Sequence, residues 1–334
     1  MTTTTRAVWR RSGTPKTGFT YLRADGEPLR STTALARIRS LAIPPAWTDV
    51  EIAADPKAKV QATGYDSEGR KQYIYHPDQV KRRERKKYRK LLGLAHDLPH
   101  IRAATREHLK QKGVGRERVL ATIVRLMLRG YFRVGGERYA EENKTFGIAT
   151  LQKRHLQVEG NDLVFRYPGK HSIEQRTVVA DTPLVEVMKE ILELPGRRLF
   201  RYRGEDGKVK NVTARDVNAY IKEIAGEEYS AKDLRTWGGT VRAASILADL
   251  GPAGSRREAE KQVVLACKLV SSELGNTPAV CRSSYIHPVV LEKYLTGKTI
   301  EPMMRRKPRK RAKAAPPTYY PEEAALMRFL EKWG

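Results

Sequence analysis

Over residues 1 to about 80 the apolar positions recur with a period near two and are broken by turn residues, the signature of short strands. The stretch from Phe19 to Leu29 holds an Asp25-Gly26 hairpin signal. A short helix is predicted after Ser31, with Leu35, Ile38 and Leu41 on one face and Pro44-Pro45 as its stop. Further strands are predicted through Val50–Ala53 and Val60–Tyr65, followed by a turn at Asp66–Gly69 and a strand within Arg70–His76. The period then lengthens. Val119, Leu120, Ile123, Val124, Met127 and Leu128 recur at helical spacing, with Gly135-Gly136 closing the run, and they read as core. Leu156–Tyr167 reads as a hairpin about Gly160-Asn161, and the turn Pro168-Gly169-Lys170-His171 leads to a strand from Ile173 to Val179. Helical patterns resume at Pro183 and at Thr213 and continue to about Lys298. A short amphipathic stretch, Glu322 to Trp333, comes last, and there is no internal repeat.

This pattern predicts an α+β chain: a small β-rich N-terminal domain with a basic linker (1–90), a larger, mainly helical domain with a small β-hairpin sheet (91–300), and a basic C-terminal tail with a short terminal helix (301–334). With 334 residues and 40% hydrophobic content, the chain can bury one large core or two smaller ones. Charge adds more. Lys and Arg number 64 against 38 Asp and Glu, a formal net charge of +26. Such an excess suits a polyanion, most commonly nucleic acid, although a ribosomal or chromatin protein has the same balance. Lys81–Lys90 holds eight basic residues in ten and reads either as a solvated helix face or as a basic hinge against a phosphate backbone. Arg305–Lys313 holds seven in nine and is expected to add nonspecific attraction. Met1–Arg6 has no apolar signal core and no stretch approaches 18 apolar residues, so a cytoplasmic, nucleoid-associated location is expected and a membrane is not. The two cysteines, Cys267 and Cys281, make no disulfide framework, and the seven histidines show no metal-ligand spacing with them.

Candidate chemistry lies near the end. Tyr285 follows Pro278 by seven residues, about two turns from a predicted helix start, whose N–H groups favour anions. Lys232-Asp-Leu-Arg235 lies some forty residues earlier, and an arginine can clamp a phosphate bidentately. A phenol has a pKa near 10 and a leaving alkoxide is far more basic. A tyrosine that attacks a phosphodiester therefore needs cations around it and a proton donor. Arg133 and Arg235 are candidate clamps, Lys170 at a hairpin turn is a candidate donor, and Asn276, at or next to an N-cap, offers an amide hydrogen. The competing reading is bland: one of fifteen tyrosines packs half-buried, and Arg235 makes a helix-surface ion pair.

The ordered series Arg133-Val-Gly135, Gly169-Lys170, Lys232-Asp-Leu-Arg235-Thr and Gly275-Asn276-Thr-Pro-Ala with Ser284-Tyr285 resembles the type IB DNA topoisomerases in their compact poxvirus and bacterial form. The similarity extends to Tyr131–Gly147 and to Gly64–Tyr75, and spans most of residues 15 to 295 in the family's order. It implies that Tyr285 attacks one strand to form a 3′-phosphotyrosyl bond. Arg133 and Arg235 would bind the nonbridging oxygens, Lys170 would protonate the leaving 5′ oxygen, and Lys232 would support the cluster. Supercoils would relax by rotation before resealing, with neither ATP nor metal. Where the family usually has histidine, nine residues before the tyrosine, this chain has Asn276, which can donate only as a neutral group.

The resemblance also implies a cap domain that helps enclose double-stranded DNA, the expected partner of a monomer. Gln72, Tyr73 and Tyr75 would reach the major groove and Tyr139 would be a further contact, although the tyrosines could equally pack on a core. In a strand Gln72 faces opposite to both tyrosines, so at least one of the three points inward or lies at a bend. Two rivals remain. A tyrosine site-specific recombinase has histidine at the place of Lys232 and a helical N-terminal domain. A noncatalytic DNA-binding protein would be expected to have lost one of Arg133, Lys170, Arg235 and Tyr285.

Overall fold

The computed structural model describes residues 7–226, 229–304 and 319–334. The basic stretch Arg305–Lys313 lies outside them. The chain divides into two compact units, Met1–Lys87 and Tyr88–Gly334.

The first unit is a five-stranded antiparallel sheet with one helix. Its elements are β1 (Val8–Thr14), β2 (Gly18–Leu22), α1 (Thr32–Ser40), β3 (Thr48–Ala53), β4 (Val60–Tyr65) and β5 (Lys71–Tyr75), and the sheet order is β2-β1-β3-β4-β5. Ile38 of α1 packs with Val50, Ile52 and Ala62 of the sheet, as the alternation in β3 and β4 requires. The Ser31 hydroxyl accepts from Ala34 N–H and caps α1. The first hairpin differs from the sequence expectation. It joins β1 to β2 by way of residues 15–17, with Gly13 opposite Phe19, while the Asp25-Gly26 turn follows β2 and closes only an isolated bridge between Leu22 and Pro28. Pro28 has no N–H with which to continue the ladder.

α2 (Pro77–Leu109) starts in the first unit and runs on into the second. It contains the whole basic run Lys81–Lys90, so that run is helical. Its second half turns apolar, and Leu91, Leu94, Leu98 and Ile101 are buried at helical spacing.

The second unit is mainly helical around one large core. α3 (Arg116–Gly130) lies at its centre, with Val119 to Val124 buried nearly all round. The helix ends at Gly130, where Tyr131 takes the left-handed conformation (φ 53°), five residues before the predicted Gly135-Gly136 stop. The extended residues so released carry Arg133. After α4 (Glu137–Glu142), the strands β6 (Leu156–Glu159), β7 (Asp162–Pro168) and β8 (Glu174–Ala180) form a sheet in sequence order. Gly160-Asn161 makes the two-residue turn expected there, with Glu159 paired to Asp162. α5 (Thr182–Glu193) is capped by Asp181, and α6 (Ala214–Ala225) by Thr213. Between them lies the strand pair β9 (Arg201–Arg203) and β10 (Val209–Asn211), too short for its pattern to register in the sequence.

α7 (Ala231–Leu250) and α8 (Arg256–Leu274) pack together and lead to α9 (Pro278–Ser284), α10 (Pro288–Tyr294) and α11 (Glu301–Met304). The terminal stretch forms α12 (Pro321–Trp333), which buries Leu326, Phe329 and Leu330 in the same core. Glu323 of α12 receives a bidentate bond from Arg102 of α2 at 2.8 Å.

Candidate active site

Five segments of the second unit meet at a cavity of about 380 Å³ lined by Arg133, Lys170, Lys232, Arg235 and Tyr285, with Tyr139 at its edge. None of the described residues lining it is acidic. Elsewhere in this unit the buried Arg118 is answered by Glu190 and the part-buried Arg125 by Asp181. A larger cavity of about 590 Å³ between α2 and α3 is also arginine-rich, but there Asp181 and Glu323 hold Arg125 and Arg102. Four cations without a carboxylate define a place for an anion.

Arg133 stands on a fixed backbone. Ile148 N–H donates to Arg133 O at 2.8 Å and Ala149 N–H to Val134 O at 2.9 Å. A Cβ on Gly147 would lie 2.4 Å from Gly135 N, so only glycine permits this approach. Arg133 Nη2 donates to Gly275 O at 2.5 Å and to Asn276 Oδ1 at 2.7 Å. The asparagine amide is thereby oriented, and its Nδ2 is buried with no hydrogen-bond partner among the described residues. Asn276 is not among the residues lining the cavity, so a ligand oxygen reaches this unpaired donor only after the side chain or its turn shifts. Asn276 itself is not the cap of α9: Thr277 is, accepting from Val280 N–H.

Arg235, in the second turn of α7, is 4% exposed. Its guanidinium donates to the carbonyls of Tyr131 and Leu274, and its Nε has no hydrogen-bond partner among the described residues. Burial, and next the charge of Arg133, pull its pKa down to about 10 against the opposing pull of Tyr285. It is a buried cation held by backbone dipoles, not the surface ion pair of the bland reading. Lys232 is exposed on the first turn of α7, beside Asp233, which binds Lys90.

Tyr285 ends α9 as its C-cap (φ −125°). The N-terminal amides of α9 are therefore about two turns away, the separation that the spacing from Pro278 predicts. The Arg235 guanidinium attends the phenol, with its carbon 5.2 Å from the ring centre. The tyrosine is half-buried. The Thr240 hydroxyl of α7 shares its proton between Thr236 O at 2.8 Å and the Tyr285 carbonyl at 3.3 Å, and its oxygen accepts from His287 N–H at 3.1 Å. Gly239 makes the seat possible, since a Cβ there would meet Tyr285 O at 2.8 Å. Lys170 opens the tight turn between β7 and β8, in which His171 (φ 60°) and Ser172 (φ 58°) are both left-handed and exposed. Such a turn costs of order 1 kcal/mol per residue.

Sequence reasoning did not single out Tyr167, Gln175 or Thr240. Tyr167 is buried behind the arginine pair, and burial pushes its hydroxyl up to about 12 against the pull of Arg235 and Arg133. The one sequence signal for this packing was the Gly238-Gly239 pair inside a helical pattern, a mark of close backbone approach. Tyr139 is 58% exposed beside the cavity, which removes helix packing as its role.

In the first unit, Gln72 lies between Lys71 and Tyr73 on the edge strand β5 and shares a face with Ile74, which packs on the small core. Its Nε2 donates to Asp66 Oδ2 at 2.8 Å. Of the three residues, Gln72 is the one turned inward. Tyr73 and Tyr75 stack on the other face at 6.0 Å, Tyr73 is 46% exposed, and the Arg83 guanidinium covers Tyr75 at 3.9 Å.

A helical unit that gathers an uncompensated cationic cradle about a tyrosine, joined to a small antiparallel sheet, has a counterpart among known enzymes. Residues 71–313 match the family described as eukaryotic DNA topoisomerase I, catalytic core, and residues 18–66 match bacterial DNA topoisomerase IB, N-terminal domain. The chain belongs to the type IB DNA topoisomerases, a family of isomerases. It is 31% identical over 283 residues to DNA topoisomerase 1B of Acanthamoeba polyphaga mimivirus, covering 83% of this chain and 84% of that one. It is 24% identical over 233 residues to DNA topoisomerase 1B of vaccinia virus (strain Copenhagen), covering 69% and 70%. No described helix is long and apolar enough to cross a membrane.

Proposed function

We propose that this protein relaxes supercoiled double-stranded DNA through a transient phosphotyrosyl bond at Tyr285. The observation that carries the proposal is the cavity in which Arg133, Lys170, Lys232 and Arg235 surround a half-buried tyrosine with no acidic side chain among the described residues that line it. Tyr285 Oη attacks the scissile phosphorus, the P–Oη bond forms, and the P–O5′ bond breaks. The phenol proton leaves to water, and the Lys170 ammonium supplies the proton that the 5′ oxygen takes. Arg133, Arg235 and Asn276 Nδ2 bind the nonbridging oxygens, where charge builds in the transition state. Lys232 adds positive potential at the rim. One phosphodiester replaces another, so the exchange is near balanced in free energy and needs neither ATP nor a metal. Rotation of the free end relaxes the duplex, and the 5′ hydroxyl attacks back.

Outside the cavity, Tyr139 and the exposed face of β5 at Tyr73 and Tyr75 are proposed to touch the duplex. Gln72 contributes there once its amide leaves Asp66. Backbone phosphates supply most of the affinity, which falls steeply with salt.

The test is relaxation of supercoiled plasmid in EDTA without ATP, with Tyr285→Phe alongside. The parent alone relaxes the plasmid and alone leaves protein joined to a 3′ DNA end after denaturant quenching. Relaxation by Tyr285→Phe at the parent's rate, or none by the parent from low to physiological salt, rejects the proposal. Binding with no relaxation by either would favour the noncatalytic reading.

A further inference from the structure

The hairpin that carries Lys170 and the turn that carries Asn276 meet at one side chain, Gln175. In the β7–β8 ladder Gln175 lies opposite Tyr167, and cross-strand partners share a face of the sheet. Tyr167 lies within electrostatic reach of Arg235 and Arg133, and the approach of Gln175 to Gly275 brings this face of the hairpin to the turn that binds Arg133. Gln175 touches a glycine on each side. A Cβ on Gly169, the residue before Lys170, would lie 2.6 Å from Gln175 Cγ. A Cβ on Gly275, the residue before Asn276, would lie 2.2 Å from Gln175 Oε1. Both distances are shorter than real Cβ contacts, so each glycine leaves room that the glutamine side chain fills. Gln175 Nε2 points back to the carbonyls of Ile173 and Glu174 at 3.3 Å. On the far side, Gly275 O and Asn276 Oδ1 both accept from Arg133.

We infer that Gln175 is a positioning residue: its side chain is the spacer that fixes how far the Lys170 turn stands from the Gly275-Asn276 turn. It thereby sets the proton donor against the groups that hold the phosphate. The inference rests on the roles proposed for Lys170 and Asn276. The turn needs an external spacer because Lys170 is exposed and the two residues after it are in left-handed conformations. Its base is closed by the bond from Gly169 N–H to Ile173 O at 2.8 Å.

The experiment is single-turnover cleavage of a duplex oligonucleotide by the full chain in excess. Parent, Gln175→Ala, Gly169→Ala, their double variant and Lys170→Ala are compared. On ordinary DNA, Gln175→Ala slows cleavage about tenfold to a hundredfold, the scale of a misplaced reacting group, with duplex affinity unchanged. Gly169→Ala is slow as well, because its methyl meets Gln175 Cγ. The double variant is faster than Gly169→Ala, since that methyl enters the space Gln175 has left, whereas two independent defects would multiply. On DNA whose scissile 5′ oxygen is replaced by sulfur, the leaving thiolate needs no proton donor, and both Gln175→Ala and Lys170→Ala cleave at the parent's rate. If Gln175→Ala does not fold, Gln175→Asn, one methylene shorter, goes through the same two substrates.

Parent-like cleavage of ordinary DNA by Gln175→Ala, while Lys170→Ala is slow, overturns the inference and leaves the proposed reaction standing. So does a Gln175→Ala defect that persists undiminished with the sulfur substrate. A Lys170→Ala variant as fast as the parent removes the proton donor from the proposed reaction, and the role of Gln175 with it.

Discussion

Replacing Asn276 with alanine removes an acceptor that orients Arg133 and a donor that has no partner among the described residues. Arg133 keeps its bond to Gly275 O, so the guanidinium stays near its place and the lost donor dominates the effect. A hydrogen bond to a charged group contributes about 1.5–3 kcal/mol, which corresponds to cleavage slower by about tenfold to a hundredfold. Asn276→Asp keeps the acceptor for Arg133 but turns a carboxylate toward the phosphate. Two like charges about 4 Å apart repel by about 4 kcal/mol at the effective dielectric of such sites. Part of that is offset by Arg133, so Asn276→Asp should be slower than Asn276→Ala by at least a further factor of about ten. Asn276→His restores a ring N–H donor and should stay within about tenfold of the parent. The assay is the rate of covalent adduct formation on a duplex oligonucleotide under single-turnover conditions, with affinity measured separately. An Asn276→Ala rate within about twofold of the parent, or an Asn276→Asp rate no lower than that of Asn276→Ala, would refute the assignment of this amide to a phosphate oxygen.

Gly239→Ala should slow cleavage while leaving duplex affinity intact, because its methyl would meet the Tyr285 carbonyl at 2.8 Å and push the tyrosine from its seat on α7; equal rates for variant and parent would show that the seat is not needed. Tyr73→Ala should weaken duplex binding in fluorescence anisotropy more than Gln72→Ala does, since Tyr73 is exposed and Gln72 is tied to Asp66; the reverse order would mean that the Gln72–Asp66 bond opens on DNA. His155 is held neutral, its pKa pushed down to about 4 by burial and then by Arg154, with Nδ1 accepting from Gln152 N–H and the ring against Phe146. Unfolded histidine titrates near 6.5, so between about pH 6.5 and 4 the unfolded chain binds the extra proton and stability falls as pH is lowered through that window. The parent's Tm should drop more steeply there than that of His155→Gln, and parallel slopes would exclude the histidine as the cause.

Much of the architecture was legible in local pattern. The strands β3, β4 and β5, the two-residue turn at Gly160-Asn161 and the helix starts read at Pro183 and Thr213 follow from alternation, turn chemistry and helical spacing, which involve residues close in sequence. Where neighbours compete the pattern misled. The Asp25-Gly26 signal gave way to the β1–β2 hairpin, and α3 stopped at Gly130 because Arg133–Val134 is bound edge-on by Ile148 and Ala149, a contact no local window contains.

Residue types and their order along the chain determined which groups could do the chemistry: a tyrosine, two arginines, a lysine in a turn and an amide where the family has histidine. Only the tertiary structure decided that the tyrosine, both arginines and the lysine share one cavity with no acidic residue among the described residues lining it, that the amide lies outside that lining, bonded to Arg133, that Tyr285 sits at the C-terminal end of its helix under Arg235, and that Gln72 rather than its tyrosine neighbours turns inward. The reason is physical. Side-chain chemistry and helical or strand period are fixed by covalent neighbours, whereas burial, charge compensation and the fit of a glycine against another segment depend on atoms brought close only when the core of each unit closes.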